Sequence, residues 1–275
     1  MIEIVKVENK DQEREFVMFP FSLYKGCDYW VPPIISEELE SMDKEKNPVF
    51  ENAEAEFYIA KKDGVTVGRI AAMVNWVEIE EQKKNKLRFG WYDTIDDLEV
   101  SKKLLESVIE FGKKRKLEFV DGPVGFSNMD KAGLLIEGYE ELNTMITWYH
   151  YPYQKEHLKK LGFSKLAEWV EYKIKIFSAE DAPEKVKKFS KIIQQRYELK
   201  VLNFKSRKEI IPYVDKMFEL LNVTYSNLQT YVTIKQYQID FYKEKFIKYI
   251  HPDFIKCCLD KDDNLIAFLI TMPSF

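Results

Sequence analysis

The sequence predicts an α/β fold: a mixed, mostly antiparallel sheet flanked by helices, followed by a partial second copy of its opening elements. Three observations predict it. Alternating apolar strands and amphipathic helical stretches interleave through the first 176 residues. An Asp63-Gly64 pair separates two such strands, a strong local hairpin signal. A second hairpin of similar style returns between residues 254 and 271.

The elements follow in order. Residues 2–7 (IEIVKV) alternate as a strand. Residues 11–25 read as a helix broken near Pro20. Asp28-Tyr29-Trp30-Val31-Pro32-Pro33 forces extended backbone, because each proline fixes its own φ and restricts its predecessor. Residues 56–62 and 65–75 form the hairpin around Asp63-Gly64. A strand over 87–93 leads to a helix over 97–115, whose apolar face is Leu104, Leu105, Val108, Ile109 and Phe111. Residues 117–124 read as a buried strand, followed by a glycine-bearing loop. A short helix over 154–161 stops at Gly162, and 168–176 (EWVEYKIKI) alternate as a final strand.

The polar, proline-bearing stretch 178–186 marks a boundary, giving a first domain over 1–177 and a second over 178–275. The second carries a helix at 182–197, a strand at 199–204, helices at 208–222 and 233–248, and strands at 254–259 and 264–271. It repeats the opening order of the first: strand, two helices, hairpin. IAKKDGVTVGRIAAM and CLDKDDNLIAFLITM match in style, with Gly68 and Ala267 as the small residue. Duplication is one explanation, and coincidence between ordinary α/β elements is the other. A copy that ends on a hairpin leaves an edge strand open. Either the second copy is partial or the hairpin pairs with the first sheet. A homodimer through that edge is a further expectation.

Composition narrows the partners. With 275 residues the chain fits two domains, and 15% aromatics supply a large core. A net charge of -4 denies the chain the broad positive field that nucleic acid requires. The run Lys113-Lys114-Arg115-Lys116 sits where a helix C-terminus favours cations. Cys27, Cys257 and Cys258, with three histidines, make neither a disulfide framework nor a metal site. The N-terminus is strand-like and charged, unlike a signal peptide, and no apolar run approaches the ~20 residues of a membrane span. Cytoplasm is the default compartment.

FYIAKKDGVTVGRIAAMV, TWYHYPYQKEHLKKLGFSK and GPVGFSNMDKAGLLIEGYEE resemble the GCN5-related N-acetyltransferase (GNAT) superfamily, and more narrowly a group of bacterial tandem GNAT-like proteins. The resemblance covers nearly the whole chain. It implies transfer of an acyl group from acetyl-CoA or another acyl-CoA to a small-molecule amine. Two departures qualify this. The family holds the CoA diphosphate on a glycine-rich turn before the helix that follows its fourth strand. Here that stretch is Thr94-Ile95-Asp96-Asp97-Leu98-Glu99-Val100-Ser101, with three carboxylates and no glycine. Carboxylates there repel a diphosphate but suit a helix N-terminus. The family's acid tyrosine is replaced by Leu158, with Tyr149, Tyr151 and Tyr153 nearby. Members of the narrower group run beyond Phe275 and carry the cofactor loop there, so this chain is expected to be an impaired transferase. The alternative is a non-catalytic small-molecule-binding or protein-interaction module on a degenerate fold.

Several residues are candidates for a site. Asp93, ending the fourth strand, is a candidate proton acceptor, with Trp91 and Tyr92 lining the cleft beside it. Equally, Trp91 is sheet core and Asp93 ends the strand. Phe126, Asn128 and Asp130 lie on the loop Gly122–Asp130, which follows a strand end where ligands gather. The same residues also suit an elaborate turn. Glu137 and Tyr139 are weaker candidates. Tyr149 and Tyr151 flank His150 in an aromatic cluster that suits either a base or a docking surface.

Overall fold

The computed structural model describes residues 1–144, 146–175, 178, 180–228, 230–246 and 249–272. The chain divides into two compact units, Met1–Trp169 and Val170–Phe275.

Unit 1 opens with β1 (Ile2–Lys6) and α1 (Lys10–Leu23). Asn9 caps α1 by accepting from the Gln12 amide at 3.0 Å. The helix does not break at Pro20 but runs on to Leu23. Proline has no N–H to offer the carbonyl four residues back. That carbonyl, on Phe16, accepts instead from Arg69 Nη1 at 3.1 Å. The second of the two opening helices, for which the sequence reading gives no bounds, follows Pro32-Pro33 as α2 (Ile35–Met42).

β2 (Ala53–Lys62) and β3 (Val65–Asn75) form the hairpin, with Asp63 and Gly64 both at positive φ, as a two-residue turn of this kind demands. After α3 (Trp76–Glu80) come β4 (Lys86–Thr94), α4 (Leu98–Lys114), β5 (Phe119–Asp121) and α5 (Pro152–Lys160). The sheet order is β1-β2-β3-β4-β5, antiparallel except for the parallel β4–β5 pair.

Each face of this sheet has its own core. α4 lays Val100, Leu104, Leu105, Val108 and Phe111 over Ala60, Ile70, Ala72 and Phe89. On the other face Phe16 and Val17 of α1 meet Phe57, Ile59, Ala71, Met73 and Trp91. Burying one such side chain contributes about 1.5–3 kcal/mol. Every residue of β4 is buried, including charged ones. Its first half is held by an ionic network. Glu78 takes Arg88 at 2.7 Å and Lys86 at 3.1 Å, and Lys86 reaches Asp121 at 2.8 Å.

Two strands depart from expectation. The strand over 117–124 shortens to Phe119–Asp121, with Val124 in a single bridge to Ala132. Residues 168–175 form no strand, and residue 176 lies outside the described residues. Val170, Tyr172 and Ile174 alternate as foreseen, yet they and Trp169 are all exposed. Alternation marks a strand's faces, but a strand also needs a paired neighbour for its amides.

Unit 2 contains α6 (Glu184–Arg196), β6 (Lys200–Asn203), α7 (Arg207–Tyr225), α8 (Gln236–Phe246), β7 (Ile255–Leu259) and β8 (Leu265–Ile270). The helix expected over 233–248 is α8; residues 247 and 248, and 273–275 after the hairpin, lie outside the described residues. The hairpin pairs with β6 in an antiparallel sheet of order β6-β7-β8, not with the first sheet. The succession β6-α7-α8-β7-β8 repeats β1-α1-α2-β2-β3. Ile210, Val214 and Met217 of α7 bury Ile255 and Cys257 on one sheet face.

Candidate functional site

The site grows from an irregularity in β4. The β3–β4 register shifts between Arg69 and Ala71, opposite Gly90–Asp93, and Trp91 adopts a φ of 47°. A left-handed tryptophan is rare and costs about 1–3 kcal/mol. The bulge changes which way the following side chains point. Phe89 and Tyr92 pack on the α4 face, whereas Trp91 turns to the α1 face.

Asp93 is consequently carried into a closed polar cluster. Its Oδ2 accepts from Arg69 Nε at 2.7 Å and its Oδ1 from the Tyr24 hydroxyl at 2.7 Å. The two charged side chains are 4% and 7% exposed. The Tyr149 carbonyl lies 3.0 Å from the same hydroxyl. Burial first, and the Asp93 charge second, push the Tyr24 phenol well above its ordinary value. Tyr24 is walled by Trp30, Tyr149 and Tyr151, with ring centroids at 5.3, 5.5 and 5.2 Å.

A cavity of ≈ 20 Å³ remains beside this cluster, lined among others by Trp30, Glu38, Arg69, Asp93 and Lys131. That is room for about one water. Burial lowers the Lys131 ammonium pKa. Burial also lowers His150 to about 4. Its Nδ1 accepts from the Leu135 amide at 3.2 Å, so the ring is neutral.

Asp93, Tyr149 and Tyr151 therefore come together around Tyr24, whereas Trp91 packs with Phe57, Phe126 and Trp148. Trp91 donates to Glu38 at 2.7 Å, and Phe126 adjoins through the Trp91 ring at 6.0 Å. Tyr92 lies on the opposite face, donating to Ser101 at 2.8 Å. Asp130 closes its own turn by accepting from the Ser127 amide at 2.9 Å, and burial raises its pKa. Asn128 is half-buried, and Glu137 is exposed. Tyr139 donates to the Leu135 carbonyl at 3.2 Å and accepts at its own carbonyl from Tyr149 at 3.1 Å.

Sequence reasoning missed Tyr24, Arg69, Lys131 and Gln154. Arg69 had a usable signal: a charge inside the apolar run VGRIAAMV must find a buried partner. The others gave none.

The start of α4 does not offer a free cradle for a CoA diphosphate. Asp97 caps α4, accepting from the Glu99 amide at 3.1 Å and pairing with Lys62 at 3.1 Å. Asp96 reaches His157 Nε2 at 3.1 Å, whose Nδ1 meets Ser101 Oγ at 2.9 Å. The outer edge of β4 is occupied as well. The Tyr92 carbonyl accepts from Gln154 at 3.1 Å and the Thr94 carbonyl from Tyr153 at 2.6 Å. Leu158 is buried in the α4-side core. Among the described residues no cluster of three His, Cys, Asp or Glu could hold a metal ion, and no helix is long and apolar enough to cross a membrane.

No family model matches the chain. It is 26% identical over 270 residues to Protein YghO of Escherichia coli K12, covering 97% of this chain and 67% of that protein. It is 22% identical over 174 residues to the Bacterial ceramide synthase of Caulobacter vibrioides, covering 62% of this chain and 45% of that protein. Among solved structures, a tandem GNAT protein from the clavulanic acid biosynthesis pathway aligns over 98% of this chain and 73% of its own length, at 10% identity and a TM-score of 0.47. The mostly antiparallel sheet with its parallel fifth strand, clothed by helices on both faces and followed by a repeat of its opening elements, has the mixed α/β architecture that the sequence predicts.

Proposed function

We propose that this chain is the acceptor-shaping part of a GNAT-like N-acyltransferase, joining an acyl group from a thioester donor to an amine, and that unit 1 does not carry the donor. One observation bears most of the weight. The helix start and strand edge where a diphosphate and its thioester arm would rest are filled by Asp97, Tyr153 and Gln154. The name of one relative is consistent with the reaction, since a ceramide is an N-acylated amino lipid. Asp93 and Glu38, among aromatic walls, suit an ammonium or amine. The ≈ 20 Å³ cavity admits no more than about one water, so an amine needs its lining to move apart.

The second reading is a non-catalytic binding module. It is favoured by the Asp93–Arg69–Tyr24 cluster, which engages both carboxylate oxygens of Asp93 within the protein. Titration of the 275-residue chain with acetyl-CoA, followed by melting temperature and hydrogen exchange, tests the main claim. No added protection at residues 94–101 is expected, and protection there overturns it. Amine-dependent release of free CoA thiol then separates the readings. Thiol release supports acyl transfer, and amine binding without release leaves the binding module.

A further inference from the structure

Arg69 and Asp93 close on each other, but the cavity beside them keeps one cation and one carboxylate that have not met. Lys131 and Glu38 both line it. Among the described residues the Lys131 ammonium makes neither a hydrogen bond nor an ion pair. Glu38 accepts from the Trp91 indole at Oε2, and its Oε1 accepts from no described residue. Arg69 has a donor to spare as well. Its Nε serves Asp93 and its Nη1 the Phe16 carbonyl, which leaves Nη2 without an acceptor among the described residues.

The backbone braces Lys131 at this spot. Its carbonyl accepts from the Gly125 amide at 2.9 Å, the Gly133 amide donates to the Pro123 carbonyl at 2.8 Å, and Val124 bridges to Ala132. Just before it, Asp130 is fastened to the Ser127 amide at 2.9 Å. The arms of the loop lie so close that a Cβ on Gly125 would come 2.1 Å from that of Asp130. A surface lysine normally carries its charge out to water. Lys131 is half-buried against the cavity, and burial lowers its pKa. Burial without a partner disfavours an ammonium, and a ligand anion relieves it.

Charge complementarity names the ligand. A plain ammonium drawn to Glu38 also meets Lys131 and is repelled. A plain carboxylate drawn to Lys131 meets Glu38. A compound carrying both groups answers both walls. Its carboxylate suits Lys131 and Arg69, and its amine suits Glu38 and the indoles of Trp30 and Trp148.

We infer that this cavity, once its lining moves apart, is an amino-carboxylate site, in which Lys131 selects those amines that carry a carboxylate beside the amino group. The binding site stands by itself; its use as the acyl acceptor rests on the acyl-transfer reading. In that use the amine nitrogen bonds the acyl carbon and the thioester C–S bond breaks. Of the two protons the ammonium gives up, one goes to the CoA sulfur and one to solvent.

The test titrates the 275-residue chain at pH 7 with glycine, L-phenylalanine and the primary amide of each, followed by tryptophan emission and melting temperature. The amides keep the amine and remove the negative charge. Saturable binding of at least one amino acid is expected, at least tenfold tighter than its amide. Lys131→Met should abolish that preference while leaving amide binding within twofold. It should not lower the melting temperature of the free protein, because the ammonium has no partner to lose. Lys131→Arg should keep the preference. Glu38→Gln, which keeps an oxygen for Trp91, should weaken amino acid and amide alike. Saturation by neither amino acid, an amide bound as tightly, or a preference that survives Lys131→Met overturns the inference. So does a lower melting temperature for Lys131→Met, which makes Lys131 a structural residue. Release of CoA thiol is read separately. Amino-acid binding without release upholds the site and removes its use as acceptor, whereas release driven equally by the amides upholds acyl transfer and overturns the selectivity.

Discussion

Removing the carboxylate of Asp93 should unfold unit 1 far more readily than removing an ordinary strand-end aspartate. Asp93→Ala leaves Arg69 buried, at 4% exposure, with no counter-charge, though its bond to the Phe16 carbonyl survives. Tyr24 loses a 2.7 Å acceptor but keeps the Tyr149 carbonyl at 3.0 Å, so its share of the loss is small. Stranding one member of a buried ion pair costs about 3–5 kcal/mol. For a unit of this size each kcal/mol moves the midpoint by about 2–4 °C, so the unit 1 transition should fall by roughly 6–20 °C. Differential scanning calorimetry at pH 7 can follow that transition apart from unit 2. The double variant Asp93→Leu with Arg69→Met removes both charges and should recover most of the loss, because an apolar pair avoids desolvation. A drop under about 2 °C for Asp93→Ala, or a double variant no better than the single, would refute this account of the cluster.

Other outcomes follow from the same geometry. His150 is depressed from the usual 6.5 to about 4 by burial, so it stays neutral in the fold while the unfolded chain takes up a proton first. Stability is then full above about pH 6.5 and falls by about 3 kcal/mol as pH drops from there toward 4; urea midpoints of His150→Phe should show that slope flattened. Gly122→Ala would place a methyl 2.4 Å from the Phe89 carbonyl oxygen and 2.5 Å from its ring. About 1–3 kcal/mol should be lost, read as a lower urea midpoint with an unchanged slope, and an unmoved midpoint would show that the neighbourhood yields.

What sequence reveals divides by range. The Asp63-Gly64 hairpin and the Asp97 cap were legible because turn and cap chemistry lies within two or three residues. The repeat of strand, two helices and hairpin was legible because periodicity survives wherever each element has its own core. Asp93 could be named, but not its fate: Tyr24 lies 69 residues away and Arg69 24 residues away. The sequence pattern puts Tyr92 and Trp91 together in a cleft, and nothing in their neighbours announces the left-handed Trp91 that sends the two to opposite faces. Residues 168–175 carry a strand's pattern without a strand's partner, and pattern alone does not report partners.

Pro20 shows how a local defect can serve as a long-distance address. A helix-favouring replacement would hand the Phe16 carbonyl an amide of its own, four residues along. The guanidinium that now rests there would lose its tether while keeping its charge. Improving α1 by the usual propensity rules would therefore loosen the aim of Arg69, and with it the clamp that holds Asp93 shut.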